Sequence, residues 1–265
     1  MSKTAIGIIG VGYVGGALHG WFKSQPERFD VFVYDKFKRL GSPDEVNRAS
    51  IIFVATPTPF REDAGGYDDS AIRDALANIR DGKMIVIKSS VTPGSTERFQ
   101  KEHPQKILLF SPEFLKAQNA ASDFVNSERQ IVGYADEKHR GKAAEILAIL
   151  PPAPYMKVMR ATEAEMVKFF GNTYLATRVV FANQIYDLCE KLGIDYNAVK
   201  EGVGQDPRIG TSHLEVLHGE HRGYGGLCFP KDMKAFIQFA EALGVDLALH
   251  KRADEVNEKL KKIRI

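Results

Sequence analysis

Ala5-Ile-Gly-Ile-Ile-Gly10-Val-Gly-Tyr-Val-Gly15 decides the fold. Residues 5–9 are a short apolar run, the pattern of a strand buried on both faces. Glycines follow at once as Gly10-x-Gly12-x-x-Gly15, and Tyr13 to Phe22 continue as a helix. Each glycine answers a separate demand. The first makes a tight turn, the second admits a pyrophosphate, and the third lets helix and strand pack closely. Amides at the helix N-terminus then hold the phosphates. A strand before the glycines and a helix after them is the context this spacing needs to mean dinucleotide binding.

The next segments repeat the theme. Val31-Phe-Val-Tyr34 is a second strand and ends in Asp35, placed to accept hydrogen bonds from ribose hydroxyls. That favours NAD over NADP, although Lys36, Lys38 and Arg39 follow closely. Further strands are expected at Ile51–Ala55, Met84–Ile87 and Ile107–Phe110, with short edge strands at Gln130–Gly133 and Met156–Met159. Helices are expected over Ala71–Arg80 and His139–Leu150. The loop 60–70 reads as polar and mobile. Strand and helix in alternation predict an α/β fold, a Rossmann-like doubly wound parallel sheet over residues 1–160. Ligands bind such sheets beyond the carboxyl ends of the strands. Asp35, Thr56, Ser90 and Glu113 all fall there and are expected to ring one crevice.

After Arg160 the pattern becomes helical, and residues 161–265 are expected to form an all-helical domain. Thr162-x-x-Glu165 has the form of a capping box. It opens a long helix that runs to about Lys191 and stops at Gly193. Lys168 and Asn172 share one face of it, among Met166, Phe169, Phe170 and Leu175, a setting that reads as buried. Cys189 reads as packing. Asp195 caps a helix that Gly202 and Gly204 end, and His213, His218 and His221 read as a solvated polar loop. Leu249, Ala253, Val256, Leu260 and Ile263 form a stripe suited to a core or a dimer seam.

One stretch of this half points to chemistry: Gly223-Tyr-Gly-Gly-Leu-Cys-Phe-Pro-Lys-Asp232. Its glycines allow close backbone approach, and Pro230 suits a first helical turn. Cys228 then lies just before a helix N-terminus, whose dipole favours an anion, with Lys231 nearby. A thiol so placed is a candidate nucleophile.

The whole chain excludes other classes. It carries 36 basic and 34 acidic residues in 265, a formal charge of +2. That balance suggests neither nucleic acid nor an anionic membrane as partner. No apolar run reaches the ~20 residues of a membrane span. The start shows no signal-peptide pattern. Two cysteines make no disulfide framework, and a reducing, cytoplasmic location fits them. The seven histidines show no metal spacing.

Taken together, the motifs resemble the UDP-glucose/GDP-mannose dehydrogenase family of nucleotide-sugar dehydrogenases. The matching pieces are Gly10-Val-Gly-Tyr-Val-Gly15, Val54-Ala-Thr-Pro57, Lys88-Ser-Ser90 and Ser111-Pro-Glu-Phe-Leu115. Ala164-Glu-Met-Val-Lys168 with Asn172, Arg208-Ile-Gly210 and Gly223–Asp232 complete the series in the family's order. The resemblance implies four-electron oxidation of a nucleotide sugar's primary alcohol to a uronic acid, consuming two NAD. It implies catalytic roles for Cys228, Lys168, Asn172, Asp232 and Glu113. It implies cofactor contacts from Gly10, Gly12, Tyr13, Val14, Gly15, Asp35, Thr56, Pro57, Ser90 and Lys231, and no metal. Phe114, Leu115, Lys116, Arg208 and Gly225 are the implied substrate contacts. Arg208 would reach the substrate of a neighbouring subunit, hence a homodimer.

Three departures stand out. The chain stops about where family members begin a C-terminal domain that grips the nucleotide, so a helper chain is a possible partner. The segment from Asp35 to Ile51 is short. Ala117 stands where the family often has a second glutamate. A β-hydroxyacid-type dehydrogenase would share the glycine loop and the Lys-x-x-x-Asn pair but needs no cysteine. A non-catalytic NAD-binding protein would need none of Lys168, Asn172, Cys228 and Asp232.

Overall fold

The computed structural model describes residues 3–64, 66–218 and 221–263. The chain divides into two units: Met1–Pro59 with Tyr67–Lys168, and Phe60–Gly66 with Phe169–Ile265.

The first unit runs β1 (Thr4–Ile9), α1 (Tyr13–Lys23), β2 (Phe29–Tyr34), α2 (Pro43–Val46) and β3 (Ile51–Val54). The chain then passes through the short strands β4 (Phe60–Arg61) and β5 (Gly66–Tyr67), of which Phe60–Gly66 belongs to the second unit, and the first unit resumes with α3 (Ser70–Asn78), β6 (Met84–Ile87), α4 (Ser95–Glu102) and β7 (Ile107–Phe110). It closes with α5 (Ala120–Val125), β8 (Arg129–Tyr134), α6 (Arg140–Ile149), β9 (Tyr155–Arg160) and the start of α7 (Ala161–Leu192). Seven strands form one sheet in the order β2-β1-β3-β6-β7-β8-β9.

Alternation along the strands builds two cores. Ile52, Val54, Ile85 and Ile87 face one layer, with Val46 of α2, Ile72 and Leu76 of α3, Phe99 of α4, and Ala161 and Ala164 of α7. Ile51, Phe53, Met84 and Val86 face the other, with Leu18 and Phe22 of α1, Phe124 of α5 and Ile146 of α6. Both faces are covered, which is why the central strands read as unbroken apolar runs.

The sheet is not parallel throughout. β2, β1, β3, β6 and β7 run parallel, but β8 pairs antiparallel to β7 and β9 follows β8. β8 is therefore an interior strand, and only β9 stands at that edge. From β1 the chain steps to β2 on one side and then to β3 on the other, so a topological switch point falls beside Gly10. The short segment after Asp35 is a tight return. Asp35 and Leu40 exchange both backbone hydrogen bonds, at 3.0 and 3.1 Å, and α2 is a single turn capped by Ser42.

Two expectations fail for local reasons. Thr162 is not a cap: α7 begins at Ala161, and Glu163 accepts from the Arg160 N–H at 3.0 Å. Glu165 serves a different helix, accepting from Gly94 N, Thr96 N and Thr96 Oγ1 at the start of α4, at 2.6, 2.9 and 2.6 Å. Burial nevertheless pushes its carboxyl up to about 7. The loop 60–70 is not an open loop either, because β4 and β5 pair and Gln238 Nε2 donates to Glu62 O at 2.7 Å.

The second unit holds the rest of α7, then α8 (Tyr196–Gly204), β10 (Leu217–His218), β11 (His221–Arg222), α9 (Phe229–Ala242) and α10 (Ala248–Leu260). Gly193, at φ +67°, ends α7, and Asp195 caps α8 through Asn197 N at 2.8 Å. Ala176, Val179 and Val180 of α7, Tyr224, Met233 of α9 and Ala253 of α10 make its core. Cys189 packs with Tyr196 and Val216. The α10 stripe splits: Ala253 and Leu260 are buried, while Leu249 and Ile263 are exposed. Around Lys168 and Asn172 only part is buried, since Phe169 is enclosed but Met166 and Phe170 face outward. Among the described residues no helix is long and apolar enough to cross a membrane, and no group of His, Cys, Asp and Glu could hold a metal ion.

Candidate functional site

In the first unit the glycine turn shows which glycines the protein needs for itself. Gly10 has φ +85°, and a Cβ there would stand 2.6 Å from Ala55 O. A Cβ on Gly15 would stand 1.8 Å from Gly10 O. A Cβ on Gly12 would meet nothing within 4 Å. Gly12 is thus the glycine that the fold does not explain, and it borders open space at the start of α1. The N-terminal amides of α1 and this open side fit the pyrophosphate of NAD. Tyr13 is exposed there, whereas Val14 packs against the core.

A cleft beside the turn is lined by Gly10, Asp35, Phe37, Thr56 and Pro57, together with Val46 and Asn47, Ala75 and Asn78 of α3, and Ile79 just after it. Its apolar wall suits a base and its polar rim a ribose. Asp35 does more here than the sequence suggested. Its Oδ2 accepts from Val11 N at 2.8 Å, and its Oδ1 accepts from Phe37 N and Lys38 N at 3.0 and 2.9 Å. Burial opposes its ionisation, but these N–H groups outweigh that and hold the carboxyl below its usual value. Asp35 therefore ties the glycine turn to the end of β2, while Oδ2 retains a lone pair for a ribose.

Farther along the sheet, Ser89 Oγ donates to Thr56 O at 2.7 Å, joining the ends of β3 and β6. Ser90 lies half-buried beside it. Lys88 Nζ stands 3.0 Å from Glu113 Oε2, and Lys168 Nζ donates to the Glu113 carbonyl. The ends of β6 and β7 and the start of α7 thus bring Lys88, Glu113 and Lys168 together. Neither Glu113 nor Ser90 lines the cleft named above. Phe114 and Leu115 pack against the two cores, and Lys116 is exposed, its N–H donating to Asp123 at 2.8 Å.

In the second unit Cys228 is the N-cap of α9, exposed, and makes no capping hydrogen bond through its side chain. Pro230 sits in the first turn, as its fixed φ favours. The backbone N–H of Asp232 closes that turn on Cys228 O at 3.0 Å. The buried Asp232 carboxylate accepts from Asn172 Nδ2 and from Lys231 Nζ, each at 2.5 Å. Arg208 is exposed and engages Asp206 of its own loop, while Arg178 of α7 donates to Ile209 O and Gly210 O.

The loop carrying Cys228 is anchored by residues that sequence reading missed. Arg222 is buried and donates to Asn183 Oδ1, Asn183 O and Asp187 Oδ1 of α7. Tyr224 N donates to Asn257 Oδ1 at 2.7 Å, Asn257 Nδ2 donates back to Tyr224 O at 3.0 Å, and Tyr224 Oη donates to Asp254 at 2.7 Å. The available signal was Asn257 itself, a polar residue between Ala253 and Leu260 on the buried face of α10. The histidines are not a loose polar loop. His213 adopts φ +61° with its ring 5.6 Å from that of Phe229, and His221 lies over Gly225. The side chain of His218 lies outside the described residues.

Residues 36–150 match the NAD binding domain of the UDP-glucose/GDP-mannose dehydrogenase family, and residues 162–259 match its central domain. UDP-glucose 6-dehydrogenase YwqF of Bacillus subtilis is 37% identical over 221 residues, covering 79% of this chain and 49% of that protein. The chain thus spans about half the length of such curated relatives. A solved UDP-glucose dehydrogenase from Pyrobaculum islandicum superposes with TM-score 0.84 at 30% identity, over 97% of this chain and 68% of that one. A 3-hydroxyisobutyrate dehydrogenase from Mycobacterium tuberculosis shares the fold at TM-score 0.75 and 16% identity, over 97% and 94%. With both domains matched in order and a glycine turn that fits NAD, the chain belongs to the UDP-glucose/GDP-mannose dehydrogenase family.

Proposed function

We propose that the chain oxidises the primary alcohol of a nucleotide sugar to a carboxylate. NAD, one molecule for each of the two oxidations, supplies the hydride acceptor. The first step needs only a proton acceptor besides. The second needs a nucleophile on the aldehyde, and Cys228 Sγ adds to it to give a thiohemiacetal, then a thioester. Lys168 and Asn172 stabilise the developing oxyanion. Asp232 orients Asn172, and Glu113 directs water at the thioester to release the uronic acid and the thiol. Phe114, Leu115, Lys116, Arg208 and Gly225 contact the substrate.

The observation that carries this reading is Cys228, an exposed thiol at the N-cap of a 14-residue helix, one turn before the buried Asp232 that Asn172 holds. The test offers purified protein NAD with UDP-glucose, UDP-N-acetyl sugars and GDP-mannose, and counts NADH per sugar consumed. Two are expected, with Cys228→Ser losing the second. The fold shared with 3-hydroxyisobutyrate dehydrogenase over 94% of that chain favours a second reading, a single oxidation. One NADH per substrate, unchanged in Cys228→Ser, would select it. NAD binding without turnover of any sugar would leave a non-catalytic protein.

A homodimer in the cytoplasm belongs to the same reading. Phe170, Tyr174, Phe181, Leu188 and Leu192 of α7 are each more than half exposed. Spacings of four and seven put them on one stripe of that helix, a face suited to a second copy. A helper chain that grips the nucleotide is the other partner of this reading.

A further inference from the structure

We propose that Lys88 is the positioning residue of Glu113. The inference rests on the reading of Glu113 as the carboxylate that directs water at the Cys228 thioester. The Lys88 side chain is 0% exposed. An ammonium out of water needs an acceptor for every N–H it carries. Two are in hydrogen-bond geometry, Ser111 Oγ at 3.2 Å and Pro112 O at 3.4 Å, and the third, Glu113 Oε2 at 3.0 Å, is met as an ion pair. All three belong to the turn Ser111-Pro-Glu113 that leaves β7, while Lys88 directly follows the neighbouring β6. The lysine pins that turn from the next strand.

Glu113 is held at its other oxygens by hydrogen bonds, while Oε2, buried and without a hydrogen bond among the described residues, has the Lys88 charge beside it. Its Oε1 accepts from Phe114 N at 3.0 Å, and its carbonyl accepts from Lys168. A structural need alone does not call for a charge here, since a well-packed apolar residue commonly replaces a buried ion pair without loss of stability. What the charge adds is direction: it turns one carboxylate oxygen inward and fixes the plane of the other. A group that must meet a water in one geometry gains rate from such fixing. In the step concerned, a water oxygen bonds to the thioester carbon and the C–S bond breaks with its electron pair on sulfur. The water's proton passes to Glu113 and on to solvent. Acid and thiolate leave, and nothing is oxidised or reduced.

The test needs no dehydrogenase turnover. The full chain is acetylated at Cys228 with p-nitrophenyl acetate, and loss of the acetyl group is followed by intact mass. Glu113→Gln is expected to slow deacetylation about 10²-fold. Lys88→Gln, which keeps a donor but no charge, is expected to slow it about tenfold, with the acetylation rate held within about twofold. The double variant is expected to match Glu113→Gln alone. Lys88→Met serves the same comparison should Lys88→Gln not fold. Deacetylation at the wild-type rate in the Lys88 variants, beside a slow Glu113→Gln, overturns the role of Lys88 alone. So does a double variant slowed by the product of the two single effects. A wild-type rate in Glu113→Gln overturns the assignment of Glu113 and this inference with it, and failure of Cys228 to acetylate overturns the nucleophile.

Discussion

Two glycine-rich turns lead into helix N-termini, and they are held in different ways. The turn from Gly10 to Gly15 is shaped by backbone against backbone: Gly10 lies on Ala55 O, and Gly15 lies on Gly10 O. The turn from Gly223 to Cys228 is shaped by side chains sent from two helices. Arg222 reaches α7, and Asn257 of α10 grips Tyr224 at both its N–H and its carbonyl. The first turn is a property of the sheet, since β1 and β3 fix both walls. The second depends on single residues distant in sequence. Rigidity at the first should therefore fail only when backbone is displaced, and rigidity at the second when one amide is lost.

Gly15→Ala is the harshest way to break the comparison. Its Cβ would stand 1.8 Å from Gly10 O, and neither chain can move without shifting β1 or α1. The expected cost is more than about 4 kcal/mol, a large share of a typical domain's stability. Urea unfolding followed by circular dichroism checks it, and a folded variant within about 1 kcal/mol of wild type would show that the turn yields.

Asn257→Ala should have the next largest effect. It strands the N–H and the carbonyl of Tyr224, a residue 1% exposed, without partners. Two such groups cost about 2–4 kcal/mol. Fast hydrogen exchange at the Tyr224 amide and a changed alkylation rate at Cys228 are expected together. Exchange that stays slow would mean that Arg222 and Asp254 hold the loop without the amide.

The same contrast explains what the sequence made legible. The first turn is local: strand, glycines and helix are contiguous, so the spacing of Gly10, Gly12 and Gly15 carries the geometry. The unbroken apolar run Ile51-Ile-Phe-Val54 likewise announces two covered faces. The direction of β8 was hidden, because an apolar strand reads the same in either sense. Asp35 was found for its position, but its service to Val11, Phe37 and Lys38 depends on a fold-back that composition does not display. Glu165 shows the limit of a motif. The capping-box spacing was present, yet tertiary contact with Gly94 and Thr96 redirected the carboxylate to another helix. Arg222 escaped notice, and Lys88 stood out only within the Lys88-Ser-Ser90 match, because a lysine or arginine is exposed by default, and only the fold reveals the partners that bury them.

Gly12→Ala should move stability least, and for that reason it sharpens the comparison most. Its backbone is already in a region open to alanine, with φ −79°, and the added Cβ meets no protein atom within 4 Å. Alanine also restricts the unfolded chain, so the expected change in unfolding free energy stays within about 0.5 kcal/mol of zero. The space that Cβ enters is where a pyrophosphate would meet the first amides of α1, so NAD affinity should fall at least about tenfold, as for loss of about 1.4 kcal/mol of binding. Fluorescence or calorimetric titration of NAD beside a urea melt separates the two quantities. Unchanged NAD affinity in a fully stable Gly12→Ala would remove the argument that this glycine exists for a ligand, and the glycines of the first turn would then serve its backbone packing alone.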